Sequence, residues 1–325
     1  MRVGRAAWLT DTGRKRLRNE DAYVFDPPLF AIADGMGGAR AGEVAAGIAV
    51  AALRDGGRDV ADESRLEAII VEANRRVWER SIADPETAGM GTTITVAVLD
   101  SESGQVLFGH VGDSRAYRLR AGALEQITTD HSLVAELVES GILTPEEAAR
   151  HPQRSAITRA IGTERAIEAD VFSVAAEPGD VFLLCSDGLT DMLSEEQIAA
   201  CIVEAGGEPE TAARSLVAAA NARGGEDNIT VVLFELVEDT EPAEGTRDDD
   251  VRSVDLEGRD DDVGVVGAPA ASATAPSESA PAPLSSSDPS RSRHGAGPGS
   301  RAASLLLIAA VVVVLAIALY WNLRR

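Results

Sequence analysis

Apolar and polar positions along the first 237 residues follow two rhythms. Ten short runs predict strands: "RAAWLTD" from Arg5, "DAYVF" from Asp21, "LFAIAD" from Leu29, "TTITVAVLD" from Thr92 and "QVLFGHVGD" from Gln105. The others are "RAYRLR" from Arg115, "ALEQIT" from Ala123, "DVFSVAA" from Asp170, "DVFLLCSD" from Asp180 and "NITVVLFELV" from Asn228. Several are parted only by short turn sequences such as "SESG" and "AG", the mark of antiparallel hairpins. Apolar residues at helical spacing predict helices near 41–54, 64–82, 132–140, 145–150, 195–204 and 208–222. Strands cluster instead of alternating strictly with helices. The pattern predicts an α+β fold of packed antiparallel sheets with helices outside, not a doubly wound parallel sheet.

Beyond residue 237 both rhythms stop. An acidic stretch, "EDTEPAEGTRDDDVRSVDLEGRDDD", is followed by one rich in Ala, Pro and Ser, and neither has the apolar content to bury a core. Residues 238–300 are therefore expected to be a disordered, extended linker. Residues 302–321, "AASLLLIAAVVVVLAIALYW", carry no charge, and twenty helical residues span about 30 Å, the thickness of a bilayer's hydrocarbon. Tyr320 and Trp321 suit the interface, and residues 322–325 form a short tail. The expectation is a single-pass cell-membrane protein. Three arginines before the span against two after it agree with a cytoplasmic catalytic part.

Charge narrows the field. The chain carries a formal -23, and residues 1–237 alone hold about -17 of it, so the acidity belongs to the folded part. Such a surface repels polyanions, which argues against nucleic acid as a partner. Cys185 and Cys201 make no disulfide framework, and Cys185 inside "VFLLCSDG" reads as a buried apolar thiol.

Acids recur where apolar runs end: Asp34 in "IADG", Asp113 in "HVGDSR", Asp187 in "CSDG", Asp227 in "GEDN", with Glu20 and Asp21 in "NED" before a strand. A single Asp-Gly is most often a turn. Two Asp-Gly strand ends together with three further acidic ends are a stronger pattern. If these ends converge, their carboxylates raise one another's pKa, a cost that a hard divalent cation removes. Oxygen-only ligation suits Mg2+ or Mn2+, and a glycine after the aspartate lets a backbone carbonyl approach.

In this order, "RLRNED", "ADGMGG", "GTT", "GHVGDSRAY", "DHSLV", "HPQRSAITRAIG", "SDGLTD" and "GGEDNITVV" resemble the metal-dependent protein phosphatases, the type 2C Ser/Thr phosphatases, in their bacterial membrane-tethered form. The resemblance covers about residues 3–237. It implies a four-layer α-β-β-α sandwich and a metal-activated water that hydrolyses phosphoserine and phosphothreonine on proteins, in opposition to Ser/Thr kinases. Asp34 would bridge two Mn2+ or Mg2+ ions, the Gly35 carbonyl would hold one, and Asp187 and Asp227 the other. Asp113 and Asp191 match a third metal position. Glu20 and Asp21 would accept hydrogen bonds from metal-bound water, and Arg16 would bind the substrate phosphate. Residues 131–170, long for a connection, would be a flap beside the site.

One departure stands out. Where many eukaryotic members have a histidine after "ADG", this chain has Met36, which leaves the general acid unassigned. His131 is the nearest candidate by motif, but it is read as capping the next helix or shaping the flap; His110 is read as a satisfied strand histidine. Two other readings stay open at this level. One is a phosphatase dedicated to a single regulatory partner, such as an anti-sigma-factor antagonist, and the other is a catalytically silent module that captures phosphoproteins.

Overall fold

The run Leu29–Met36 shows why a strand here can be apolar without interruption. In the computed structural model, which describes residues 1–37, 41–57 and 60–239, Leu29, Ala31 and Ala33 enter one core while Phe30 and Ile32 enter another. Successive side chains leave a strand on opposite faces, so a strand covered on both sides has no polar phase. Its neighbours complete two antiparallel sheets. The first runs β1 (Arg2–Asp11), β11 (Ile229–Val237), β10 (Val181–Cys185), β7 (Arg115–Arg120), β8 (Ala123–Gln126). The second runs β2 (Asp21–Asp26), β3 (Leu29–Met36), β5 (Ile94–Asp100), β6 (Gln105–Val111), β9 (Asp170–Ala175), with β4 (Gly91–Thr92) paired to the end of β3.

Three cores make four layers. Between the sheets Phe30 stacks on Phe234 at 4.3 Å, and Phe182 stacks on Phe234 at 5.2 Å. Outside the second sheet, α1 (Ala41–Gly56) and α2 (Glu63–Ala83) bury Ala45, Ala49, Leu53, Leu66 and Ile70 against β3, β5 and β6. Outside the first sheet, α5 (Asp187–Thr190), α6 (Glu195–Glu204) and α7 (Pro209–Ala222) bury Leu189, Ile198 and Leu216 against Leu183, Val231 and Leu233. The two antiparallel sheets flanked by helices are the architecture expected. α3 (Leu133–Glu139) and α4 (Pro145–Ala148) lie in the long connection between β8 and β9.

All ten strand runs form strands. The sequence did not separate β4 from β5, because only its pairing to Met36 and Gly35 sets it apart. Nor did it mark α5, a single helical turn that begins at Asp187 itself. The linker from residue 240 and the apolar span 302–321 lie outside the described residues. Among the described residues no helix is long and apolar enough to cross a membrane.

Candidate active site

Follow the phase of each strand that faces the central layer. In β3 it runs Phe30, Ile32, Asp34; in β10 it runs Phe182, Leu184 and continues to Ser186; in β11 it passes from Phe234 and Val232 to Thr230. All three lines turn polar at the same end of the sandwich. Asp21 is the register partner of Asp34 across the β2–β3 ladder, so the two carboxyls share a face. From the opposite sheet Ser186 Oγ and Thr230 Oγ1 donate to Asp21 Oδ2 at 2.9 and 2.6 Å. One carboxylate is thus held across the gap between the two sheets.

Asp34, at the edge of this polar tier, opens onto a cleft of about 400 Å3. Arg16, Glu20, Asp34, Gly35, Asp113, Asp187, Asp191 and Asp227 all line it, together with Met36 and Thr93. Of the residues singled out in the sequence only Asp21 stands behind the wall, in contact with Asp34. The Arg16 guanidinium reaches Asp227 Oδ2 at 2.5 Å, and Arg154 NH1 reaches Asp191 Oδ2 at 2.6 Å. Asn228 fixes the loop that carries Arg16 and Glu20: its amide donates to the carbonyls of Thr12 and Arg18, and its Oδ1 accepts from the Glu20 N–H. Thr93 holds Asp34 from both sides, its hydroxyl accepting from the Asp34 N–H at 2.9 Å and its N–H donating back to the Asp34 carbonyl.

The glycines after Asp34 and Asp187 are explained by close approach, not by unusual dihedrals. A Cβ on Gly35 would run into the Gly42 carbonyl, and one on Gly188 into the Asn228 carbonyl. Both obstacles are backbone and cannot swing aside. Each Asp-Gly therefore marks a point where another chain segment passes against the strand tip.

Crowding has the electrostatic result expected. Withdrawal from water raises Asp34 well above the usual carboxylate range, and Asp21, Asp187 and Asp113 push it further. Asp187 rises for the same reasons, with Asp113 and Asp227 as its largest neighbours. Desolvation lifts Asp21 to about 6 against the opposing hydrogen bonds of Thr230 and Ser186, and lifts Asp113 to about 6 with Asp130 adding to it. Asp21 Oδ1 and Asp187 Oδ1 are buried without a hydrogen-bond partner. Buried acceptors left unpaired are costly, and oxygens of this kind in an all-oxygen donor set fit a hard divalent cation. Among the described residues no three His, Cys, Asp or Glu side chains are drawn into a closed cage. The acids line the cleft instead, with two of them leaning on arginines.

None of the three described histidines lines the cleft. His110 is fully buried with Nε2 on the Thr129 carbonyl, and burial lowers it to about 3. His131 does not cap α3; Ser132 does, accepting from the Ala135 N–H. His131 instead takes the Gly112 N–H on Nδ1 at 3.1 Å and points Nε2 at Asp170 Oδ2. The Cys185 thiol is buried and pushed up to about 12, which removes it as a nucleophile. Thr93, Ser186, Thr230, Asn228 and Arg154 had no role in the sequence pattern. The available signal was a polar residue on the central phase of an otherwise apolar strand, as at Ser186 and Thr230.

The sequence matches the family Protein phosphatase 2C over residues 13–219. Serine/threonine phosphatase stp of Listeria monocytogenes serotype 4b is 40% identical over 242 residues, 71% of this chain and 95% of that protein. Serine/threonine protein phosphatase PstP of Mycobacterium tuberculosis is 41% identical over 243 residues, 73% of this chain and 46% of PstP. The crystal structure of Mycobacterium tuberculosis PstP/Ppp superposes with a TM-score of 0.68 at 39% identity, covering 73% of this chain and 100% of that one. The PstP catalytic domain solved in complex with two manganese ions gives 0.67 at 37% identity, covering 73% of this chain and 100% of its own. Fold, cleft and relatives together define a metal-dependent protein serine/threonine phosphatase. The chain belongs to the protein phosphatase 2C family.

Proposed function

We propose that this cleft dephosphorylates protein phosphoserine and phosphothreonine with two Mn2+ or Mg2+ ions held by Asp34, the Gly35 carbonyl, Asp187 and Asp227. Asp113 and Asp191, which line the same cleft, are the candidate holders of a third ion. Such ions lower the pKa of water and stabilise the charge that builds on a transferring phosphoryl group. The chain's own residues supply the positioning. Arg16, half-exposed at the mouth, can exchange Asp227 for phosphoryl oxygens, which its planar fork matches. Asp21, fixed from the opposite sheet, orients Asp34, and Glu20 at the rim accepts a hydrogen bond from water. Met36 has no proton to give to the leaving serine or threonine oxygen. The buried, unpartnered Oδ1 of Asp187 in a cleft lined by acids carries this reading.

The full-length protein is expected to hydrolyse p-nitrophenyl phosphate with Mn2+ and to stop in chelator. Asp187→Asn is expected to lose about a hundredfold or more in kcat and to weaken Mn2+ binding in calorimetry. Undiminished turnover and binding in that variant would refute the assignment. The uncharged stretch 302–321 supports a further reading, a membrane tether that keeps the catalytic part in the cytoplasm, near membrane-bound Ser/Thr kinases as substrates.

A further inference from the structure

Beside the catalytic cleft lies a larger cavity of about 1020 Å3. The two adjoin, since Asp113, Ser155, Asp187 and Asp191 line both. α3, with the sequence "LVAELVE", buries none of its residues. Its Val134, Ala135 and Val138 line the cavity, and Pro145, Ala148 and Leu193 extend the apolar wall. α3 packs against α4, yet its apolar residues stay only half-buried, which leaves an apolar strip facing the cavity.

The charges in this cavity are unbalanced. Its two arginines are already engaged, Arg115 with Asp130 at 2.7 Å and Arg154 with Asp191 at 2.6 Å. Glu139 and Glu195 at the rim are exposed and form no ion pair among the described residues. The chain's own linker is a poor occupant, because residues 238–263 hold twelve acids against three arginines.

We propose that this cavity receives the substrate segment flanking the phosphorylated residue, and that it selects an apolar side chain accompanied by arginine or lysine. The inference rests on the reading of the cleft as the phosphoryl site. An extended chain advances about 3.3 Å per residue, so a segment whose phosphoryl group sits among Asp34, Asp187 and Asp227 reaches the neighbouring space within a few residues. There an apolar residue covers Val134 and Val138, and a cation meets Glu139 and Glu195. An acidic flank meets repulsion from the same groups.

The test uses the full-length protein with Mn2+ and three kinds of substrate. These are p-nitrophenyl phosphate, a phosphothreonine peptide with leucine and arginine beside the phosphorylated residue, and the same peptide with glutamate in place of arginine. The arginine peptide is expected to exceed the glutamate peptide in kcat/KM by about fivefold per engaged charge, mainly through KM. High salt should erase most of that difference. The double variant Glu139→Lys, Glu195→Lys should reverse the order, and Val138→Asp should weaken both peptides. p-Nitrophenyl phosphate, too small to leave the cleft, should be turned over alike by all of these proteins. Equal use of the two peptides, or an arginine preference that survives the charge reversal, would overturn the proposal. Absence of p-nitrophenyl phosphate turnover by the unaltered protein would overturn the cleft reading beneath it.

Discussion

Asp113 shows how a single side chain lining the cleft can oppose folding. Desolvation, reinforced by Asp130, lifts its carboxyl to about 6 from an ordinary value near 3.8. The folded state therefore holds the proton more tightly than the unfolded state. At pH 7–8 the group is ionised in both states and the folded state bears the whole cost; as pH falls through about 6 towards 4 that cost disappears. Two units at about 1.4 kcal/mol each set the scale. In chelator, Asp113→Asn is expected to raise the urea-unfolding free energy by about 3 kcal/mol at pH 8, with no gain left near pH 4. A variant destabilised at pH 8 would contradict this. At this scale the sequence was readable where an acid broke an apolar run, as at Asp34 and Asp187. The contact of Ser186 and Thr230 with Asp21 was not readable, because that partner lies 165 and 209 residues away across the inter-sheet gap.

Among the elements, the segment entering α3 acts as a splice between the long β8–β9 connection and the Asp113 loop. His131 N–H donates to the Gly112 carbonyl at 2.7 Å, its carbonyl accepts from the Thr158 N–H at 2.8 Å, and its Nδ1 accepts from the Gly112 N–H. Those partners assign the ring proton to Nε2, facing Asp170, which Arg159 also holds at 2.7 Å. The two ring bonds are unequal in worth. Asp170 is partly exposed and keeps Arg159, whereas the Gly112 N–H would be left buried and unpaired. Asn at position 131 can still present an acceptor where Nδ1 sits, while Gln reaches towards Asp170 instead. His131→Gln is therefore expected to be less stable than His131→Asn by about 1–3 kcal/mol in urea unfolding; the opposite order would refute this reading. Long elements were legible because period 2 and period 3.6 are local properties. β4 and α5 were not, since a two-residue pairing and a single turn exist only through what packs on them.

At the scale of the whole chain, the acidic catalytic region and the uncharged stretch near the end call for different measurements. If residues 302–321 tether the protein, removing 302–325 is expected to move it from the membrane fraction to the soluble fraction while turnover of p-nitrophenyl phosphate persists. A full-length protein already found in the soluble fraction would end the tether reading. The catalytic region has a wider consequence. Asp21 and Asp34 come from one sheet, Asp187 and Asp227 flank strands of the other, and Arg16 follows β1 of that other sheet. With the ions held as proposed, neither half of the sandwich owns the chemistry. A nascent or partly opened chain therefore cannot strip phosphate from its neighbours, and competence arrives only when the two layers have closed on each other.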